Sequence, residues 1–195
     1  MKVAIFAAVP EEVGILADKV NFTGIGRENA TQAALRFLDK YRNEEFTVLN
    51  IGTVGSHAFP VGTILSIDEI ASAGMAFYDK RMSLNKWHAP MLQQIPTATL
   101  YSSDSFVSPS VYTSQYLDEV KSRVGCFDME SSALYSVMEH YGKKYVSFKI
   151  VSDNLNVTIE VWKQRVVELS KSLAAFVEQL FTEMGQNEEI EFLTL

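Results

Sequence analysis

The run Lys2-Val3-Ala4-Ile5-Phe6-Ala7-Ala8-Val9-Pro10-Glu11-Glu12 decides the fold class. It is apolar from Val3 to Val9, the pattern of a strand buried on both faces, as in a parallel sheet. Proline followed by two acids then reads as the start of a helix. Proline fits the first turn, and the acids complement the helix dipole. This helix is expected to run through Val13, Ile15 and Leu16 to about Lys19. A strand feeding directly into a helix is the opening of an α/β chain.

The rest of the chain continues the alternation. Gly24-Ile25-Gly26 reads as a turn, followed by a helix from about Glu28 to Tyr41 with Ala30, Ala34, Phe37, Leu38 and Tyr41 on one stripe. Phe46 to Asn50 is an apolar strand that breaks at the glycine-bearing loop Gly52-Thr53-Val54-Gly55-Ser56. Val61 to Ile70 and Thr97 to Ser102 read as strands, with a mixed, loop-rich stretch from Ala71 to Pro96 between them. Val124 to Met129 is short and apolar. It leads into a helix ending near Tyr141, with Gly142 as its stop. Tyr145 to Val151 is a further strand. Thr158 to about Met184 is a long helix with Trp162, Val166, Leu169, Leu173, Phe176, Val177 and Leu180 on one face. The tail from Gln186 to Leu195 is expected to be peripheral. The expectation is a single domain over 1–195: a three-layer α/β/α fold around a mixed, largely parallel, twisted sheet.

Composition narrows the function. Of 195 residues, 47% are apolar and 21% charged, a globular balance. Seventeen basic and 24 acidic side chains give a formal charge of −7, which argues against binding along a nucleic-acid backbone. The single cysteine, Cys126, excludes a disulfide framework and reads as a small buried hydrophobe. No run of about 18 apolar residues is present, so no membrane span is expected. Met1 to Phe6 reads as a strand and not as a signal peptide, which makes the cytoplasm the default compartment. His57, His88 and His140 share no metal-ligand spacing, and no metal or cofactor is expected.

In parallel sheets ligands bind beyond the C-terminal strand ends. Three such ends here carry acids: Glu11 or Glu12, Asp128 or Glu130, and Asp153. Carboxylates around one crevice suit acid–base work, because burial and like charge push their pKa values apart. Each also has a local reading of equal weight: helix-start charge for Glu11, Glu12 and Glu130, and a turn cap for Asp153. The Gly52–Ser56 segment can offer backbone N–H groups to an anion or hydroxyl, yet it has neither Walker nor dinucleotide spacing.

These segments together resemble the purine nucleoside phosphorylase/nucleosidase superfamily, above all the 5′-methylthioadenosine/S-adenosylhomocysteine nucleosidases. The resemblance rests on the first strand with Glu11-Glu12, Asn50-Ile51-Gly52-Thr53-Val54-Gly55, Ser103-Asp104-Ser105-Phe106-Val107, Phe127-Asp128-Met129-Glu130-Ser131 and Ile150-Val151-Ser152-Asp153-Asn154, in that order. It implies hydrolysis of the N-ribosyl bond of an adenine nucleoside. Glu12 matches the base that activates water, and Asp153 the acid that protonates the purine at N7. Glu130 matches the carboxylate on the ribose hydroxyls, with Met129 beside the sugar. Phe106 matches the ring stacked on the purine, and the Val107 backbone reads its edge. Thr53 and Gly55 match the loop near the nucleophile. Trp162 matches an aromatic cover and reads equally as a core residue of the last helix.

The chain departs from the family pattern in places. It is short between Lys19 and Gly24, where relatives have a further strand pair. Lys149 stands where an arginine is usual near the nucleophile and ribose, and Thr53 replaces a serine. Ser103 replaces a glycine, and Asp128 a longer acid. A phosphorylase of the same fold is the first alternative. Phosphate needs cationic donors, and only Arg27 and Lys149 stand near strand ends. A non-catalytic nucleoside-binding protein is the second. The resemblance also implies a homodimer or higher homo-oligomer, with a contact in 71–96 built on Met75, Phe77, Tyr78, Met82 and Trp87.

Overall fold

The computed structural model describes residues 1–72, 80–185 and 189–195. Its elements are β1 (Lys2–Ala7), β2 (Val20–Phe22), α1 (Arg27–Tyr41), β3 (Thr47–Ser56), β4 (Ile64–Ser72) and β5 (Lys80–Ser83). There follow β6 (Thr97–Ser102), α2 (Ser114–Lys121), β7 (Cys126–Asp128), α3 (Ser131–His140), β8 (Lys144–Asp153), α4 (Ile159–Gly185) and β9 (Glu191–Phe192). Strands and helices alternate in the C-terminal half, whereas β3 to β6 follow one another with no α-helix between them among the described residues.

All nine described strands join one mixed sheet. β1 lies between β3 on one side and β2 with β9 on the other, all parallel to it. β3 runs parallel to β8, and β8 antiparallel to β4. β4 and β6, and β6 and β7, are parallel pairs, while β7 returns antiparallel to the end of β3. Most pairings are therefore parallel, and their strands are buried as β1 predicts: Val3, Ala4, Ile5 and Phe6 are fully enclosed.

Two larger apolar cores pack helices against the sheet. One gathers Phe37 and Leu38 of α1 with Leu134 and Met138 of α3, against Phe6, Val48 and Val151. The other gathers Leu173, Val177 and Leu180 of α4 against Ile5, Ile51 and Phe148. A smaller core gathers Leu117 and Val120 of α2 with Tyr101 and Phe127. Most residues predicted as helix stripes are packed in the larger cores: Ala30, Ala34, Phe37 and Leu38 of α1, and Leu173, Phe176, Val177 and Leu180 of α4. Gly142 ends α3 at φ 70°, with Lys143 N–H donating to Met138 O, the arrangement expected of a glycine after the last turn.

Four expectations are corrected. Residues 10–19 form two 3-10 turns, Pro10–Glu12 and Gly14–Lys19, in place of one helix. Gly14 sits at φ 53°, in left-handed backbone that no α-helix can continue through. The segment Gly52–Ser56 is strand and not loop, because β8 pairs with β3 along its length from Thr47 to Gly55. The stretch 71–96 holds the strand β5, antiparallel to β4, and a 3-10 turn at Pro90–Gln94. The tail is structural: β9 pairs with β1, and Leu193 is buried.

Between Lys19 and Gly24 the chain forms only the three-residue β2. Of the residues expected at a subunit contact, Met75, Phe77 and Tyr78 lie outside the described residues. Met82 is buried in the core beside α3, and Trp87 packs its ring against Phe148 and Phe181. Cys126 is fully buried, and burial together with Asp128 pushes its thiol far up, so it is an inert hydrophobe.

Candidate active site

One pocket opens at the C-terminal ends of β1, β7 and β8, beside the last residues of β3. It collects nine of the ten residues predicted from the sequence: Glu12, Thr53, Gly55, Phe106, Val107, Met129, Glu130, Asp153 and Trp162. The tenth, Lys149, is absent from the lining. Its ammonium lies 3.4 Å from Asp128 Oδ2, and both side chains are buried. Lys149 therefore reaches the site through Asp128.

Glu12 is carried by the first 3-10 turn, and its side chain is 5% exposed, whereas Glu11 points to solvent. The local ambiguity at that strand end is thereby resolved. Glu12 Oε1 accepts from the Thr53 N–H at 2.9 Å and from its hydroxyl at 2.5 Å. Glu12 Oε2 accepts from the Ala8 N–H at 3.2 Å. Gly52 permits this approach. It adopts φ 141°, and a Cβ there would lie 3.0 Å from Glu12 Oε2.

Asp153 is the last residue of β8 and 1% exposed. The register slips beside it, with Val54 paired to Val151 but Gly55 to Asp153. Such a bulge re-aims the side chains at a strand end. Asp153 Oδ2 accepts from the Ser152 hydroxyl at 2.8 Å, and Oδ1 from the Leu155 N–H at 2.9 Å. The second bond closes a turn in which Leu155 takes φ 65°. A left-handed leucine costs about 1–3 kcal/mol. Its side chain is buried in the pocket wall, where a Cβ on Gly55 would lie 2.5 Å from it.

Glu130 occupies the position before α3, but its side chain does not cap that helix. It reaches back across the pocket. Oε1 accepts from the Gly26 N–H at 2.7 Å, and Oε2 from the Met129 N–H at 3.3 Å. The Gly24–Gly26 turn thus braces the acid from the start of α1. Burial, then the nearby charges of Asp128 and Glu12, push the Glu130 carboxyl up to about 8. The Gly26 N–H favours the charged form and is outweighed.

Asp128 was visible in the sequence as a strand-end acid, and the structure gives it a supporting task. It accepts from the Ser102 hydroxyl at 2.5 Å and from the Ser131 N–H and hydroxyl, besides its Lys149 partner. Trp162 faces the pocket and not the core, and its indole N–H donates to the Thr53 hydroxyl at 3.1 Å. Ile25, Leu155 and Ile159 complete an apolar rim that sequence reasoning missed. Ile25 lies within a turn, Leu155 in the turn after β8 and Ile159 at the first position of α4, where no periodic pattern marks a side chain.

Among the described residues, no lysine or arginine lines this pocket. Arg27 pairs with Asp104. The pocket therefore offers four buried carboxyl groups, those of Glu12, Asp128, Glu130 and Asp153, with the aromatic rings of Phe106, Phe127 and Trp162 and apolar walls. Such a set suits a neutral or cationic ring system with hydroxyls, and not an anion.

Known structures share the fold at low sequence identity. The 5′-methylthioadenosine/S-adenosylhomocysteine nucleosidase of Helicobacter pylori superposes with a TM-score of 0.74 at 14% identity, covering 94% of this chain and 98% of that one. The S-adenosylhomocysteine nucleosidase of Streptococcus pyogenes gives 0.75 at 17%, covering 95% and 97%. The futalosine hydrolase of Helicobacter pylori gives 0.75 at 13%, covering 94% and 98%. No curated protein sequence matches. The family model of the phosphorylase superfamily matches residues 20–182, which leaves Glu12 outside it and Glu130, Asp153 and Trp162 within. With most of its 195 residues matched in this way, the chain belongs to the phosphorylase superfamily.

Proposed function

We propose that the protein is a purine nucleosidase that hydrolyses the N-ribosyl bond of an adenine nucleoside, of the 5′-methylthioadenosine or S-adenosylhomocysteine kind. The observation that carries the reading is the convergence of Glu12, Glu130 and Asp153 on one pocket whose described lining holds no cation. The solved nucleosidases of the same fold support it.

The chemistry asks for two opposed proton transfers. The purine leaves poorly as an anion, so a proton carried by Asp153 goes to N7 as the bond lengthens. The Ser152 hydroxyl and Leu155 N–H fix the orientation of that carboxyl. The second oxygen can accept from an exocyclic 6-amino group, which favours adenine over a 6-oxopurine. The sugar becomes oxocarbenium-like, and Glu12 removes a proton from the water that attacks it. Glu130 holds the ribose hydroxyls, with Met129 against the sugar. Phe106 stacks on the base, and Trp162 covers the opposite side. Lys149 acts through Asp128 and does not meet the substrate.

Phosphate is the competing nucleophile. It needs several cationic donors, and the carboxylate of Glu12 repels it. The lining favours water. The test is chromatography of 5′-methylthioadenosine incubated with the protein, with and without phosphate. Adenine and a free reducing sugar are expected at equal rates in both. Strict phosphate dependence makes the protein a phosphorylase, and no base release from a panel of purine nucleosides makes it a binding protein.

A further inference from the structure

The indole of Trp162, the Thr53 hydroxyl and the Glu12 carboxylate form a chain across the pocket between α4, β3 and the first 3-10 turn. Trp162 Nε1–H donates to Thr53 Oγ1 at 3.1 Å, and Thr53 Oγ1–H donates to Glu12 Oε1 at 2.5 Å. The order of the protons is fixed by the groups themselves. An indole nitrogen only donates, and a threonine hydroxyl has one proton to give. With a lone pair taken by Trp162, that proton is held on Glu12. The carboxylate end is buried, so the bonds are not shared with solvent.

From this geometry we infer that Trp162 is a positioning residue for the proposed base, acting through Thr53. The inference rests on the nucleosidase reading and adds to it. The ring of Trp162 touches substrate, while its N–H sets the base. Oε1 of Glu12 is engaged by two short bonds from Thr53. Oε2 has one longer contact, from Ala8, and keeps acceptor capacity for a water proton. A phenylalanine at 162 fills the same wall without anchoring the hydroxyl. The Thr53 rotor is then free to turn its proton away, and Glu12 loses a donor.

The variant is Trp162→Phe, assayed with 5′-methylthioadenosine. The expected result is a fall in kcat of about tenfold, the size of one lost hydrogen bond in a buried network, with KM within about twofold of wild type. The cost should vanish when the same change is made on Thr53→Val, where no hydroxyl remains to orient. It should return on Thr53→Ser, where one does. A loss that falls on KM alone overturns the inference, as does an equal loss on Thr53→Val, because either makes Trp162 a cover and nothing more. The indole N–H resonance in an NMR spectrum, assigned by its absence in Trp162→Phe, gives a reading independent of turnover. It should shift and exchange faster in Thr53→Val, and a resonance unmoved by that change overturns the chain. Should wild type release no base, the nucleosidase reading fails while the resonance still decides the hydrogen-bond chain.

Discussion

Glu130 shows how one residue's surroundings become a pH response. Its folded carboxyl titrates near 8, against about 4.5 for an unstrained glutamate. Between those values the folded chain holds a proton that the unfolded chain releases. The stability so contributed is full below about pH 4.5 and is lost as pH rises through 8. Thermal unfolding of wild type and Glu130→Gln from pH 5 to 8.5 checks this. The difference in Tm between the two should tilt steadily toward the glutamine variant as pH rises. Parallel curves would refute the assignment. Lys149 and Asp128 make the opposite case. Both are buried, and each compensates the other. Lys149→Met should cost about 3–5 kcal/mol, since it strands a buried carboxylate. Lys149→Met with Asp128→Asn should cost less than Lys149→Met alone in urea unfolding. The sequence points to Lys149 as a pocket cation because the family resemblance puts it where an arginine is usual near the nucleophile and ribose. Its partner is 21 positions away, and no local pattern announces such a pairing.

At the scale of elements, legibility followed length and period. α1 and α4 were read to within a residue or so of their bounds, because their stripes repeat over many turns. β2, β5 and β9 were not read, having two to four residues each, too short to show a period and defined by the strand they pair with. The glycines of β3 misled for the same reason. Gly52 and Gly55 look like a turn locally, yet ten residues of β8 lie alongside and override that propensity. Their glycine character serves close approach within the strand, to Glu12 at Gly52 and to Leu155 and Asp153 at Gly55. Gly52→Ala tests this. Its backbone, at φ 141°, strains any side chain, and the added methyl crowds the Glu12 carboxylate. The expected loss is about 1–3 kcal/mol of stability, with a fall in kcat larger than any change in folded fraction explains. Calorimetry and turnover on the same sample separate the two, and full activity in the folded protein would contradict the crowding.

The whole molecule ties its tail to its pocket. Leu193 is buried in the core beside α1, and its N–H donates to Val3 O. Thr194 O accepts from the Tyr41 hydroxyl at 2.7 Å. Asn21, buried in β2, is the junction. Its amide nitrogen donates to Ile5 O at 3.1 Å and Leu193 O at 2.9 Å, and its oxygen accepts from the Leu195 N–H at 3.0 Å. β2 then runs straight into the turn whose Gly26 N–H holds Glu130. A tail expected from the sequence to be peripheral thus clamps the strand that leads into the turn bracing a proposed substrate-binding acid. Removing Glu191–Leu195 takes away a buried leucine, worth about 1.5–3 kcal/mol, and leaves Asn21 short of partners, at about 1–3 kcal/mol more. The truncated chain should therefore unfold about 2.5–6 kcal/mol more easily in urea. Where it remains folded, KM for the nucleoside should rise more than kcat falls, because the Gly26 N–H holds Glu130, the acid proposed for the sugar, whereas the hydrogen-bond partners of Glu12 and Asp153 are Ala8, Thr53, Ser152 and Leu155. A stability loss with KM unchanged would confine the tail to holding the sheet edge. An equal loss in kcat and kcat/KM would mean that the clamp reaches the proton-transfer groups.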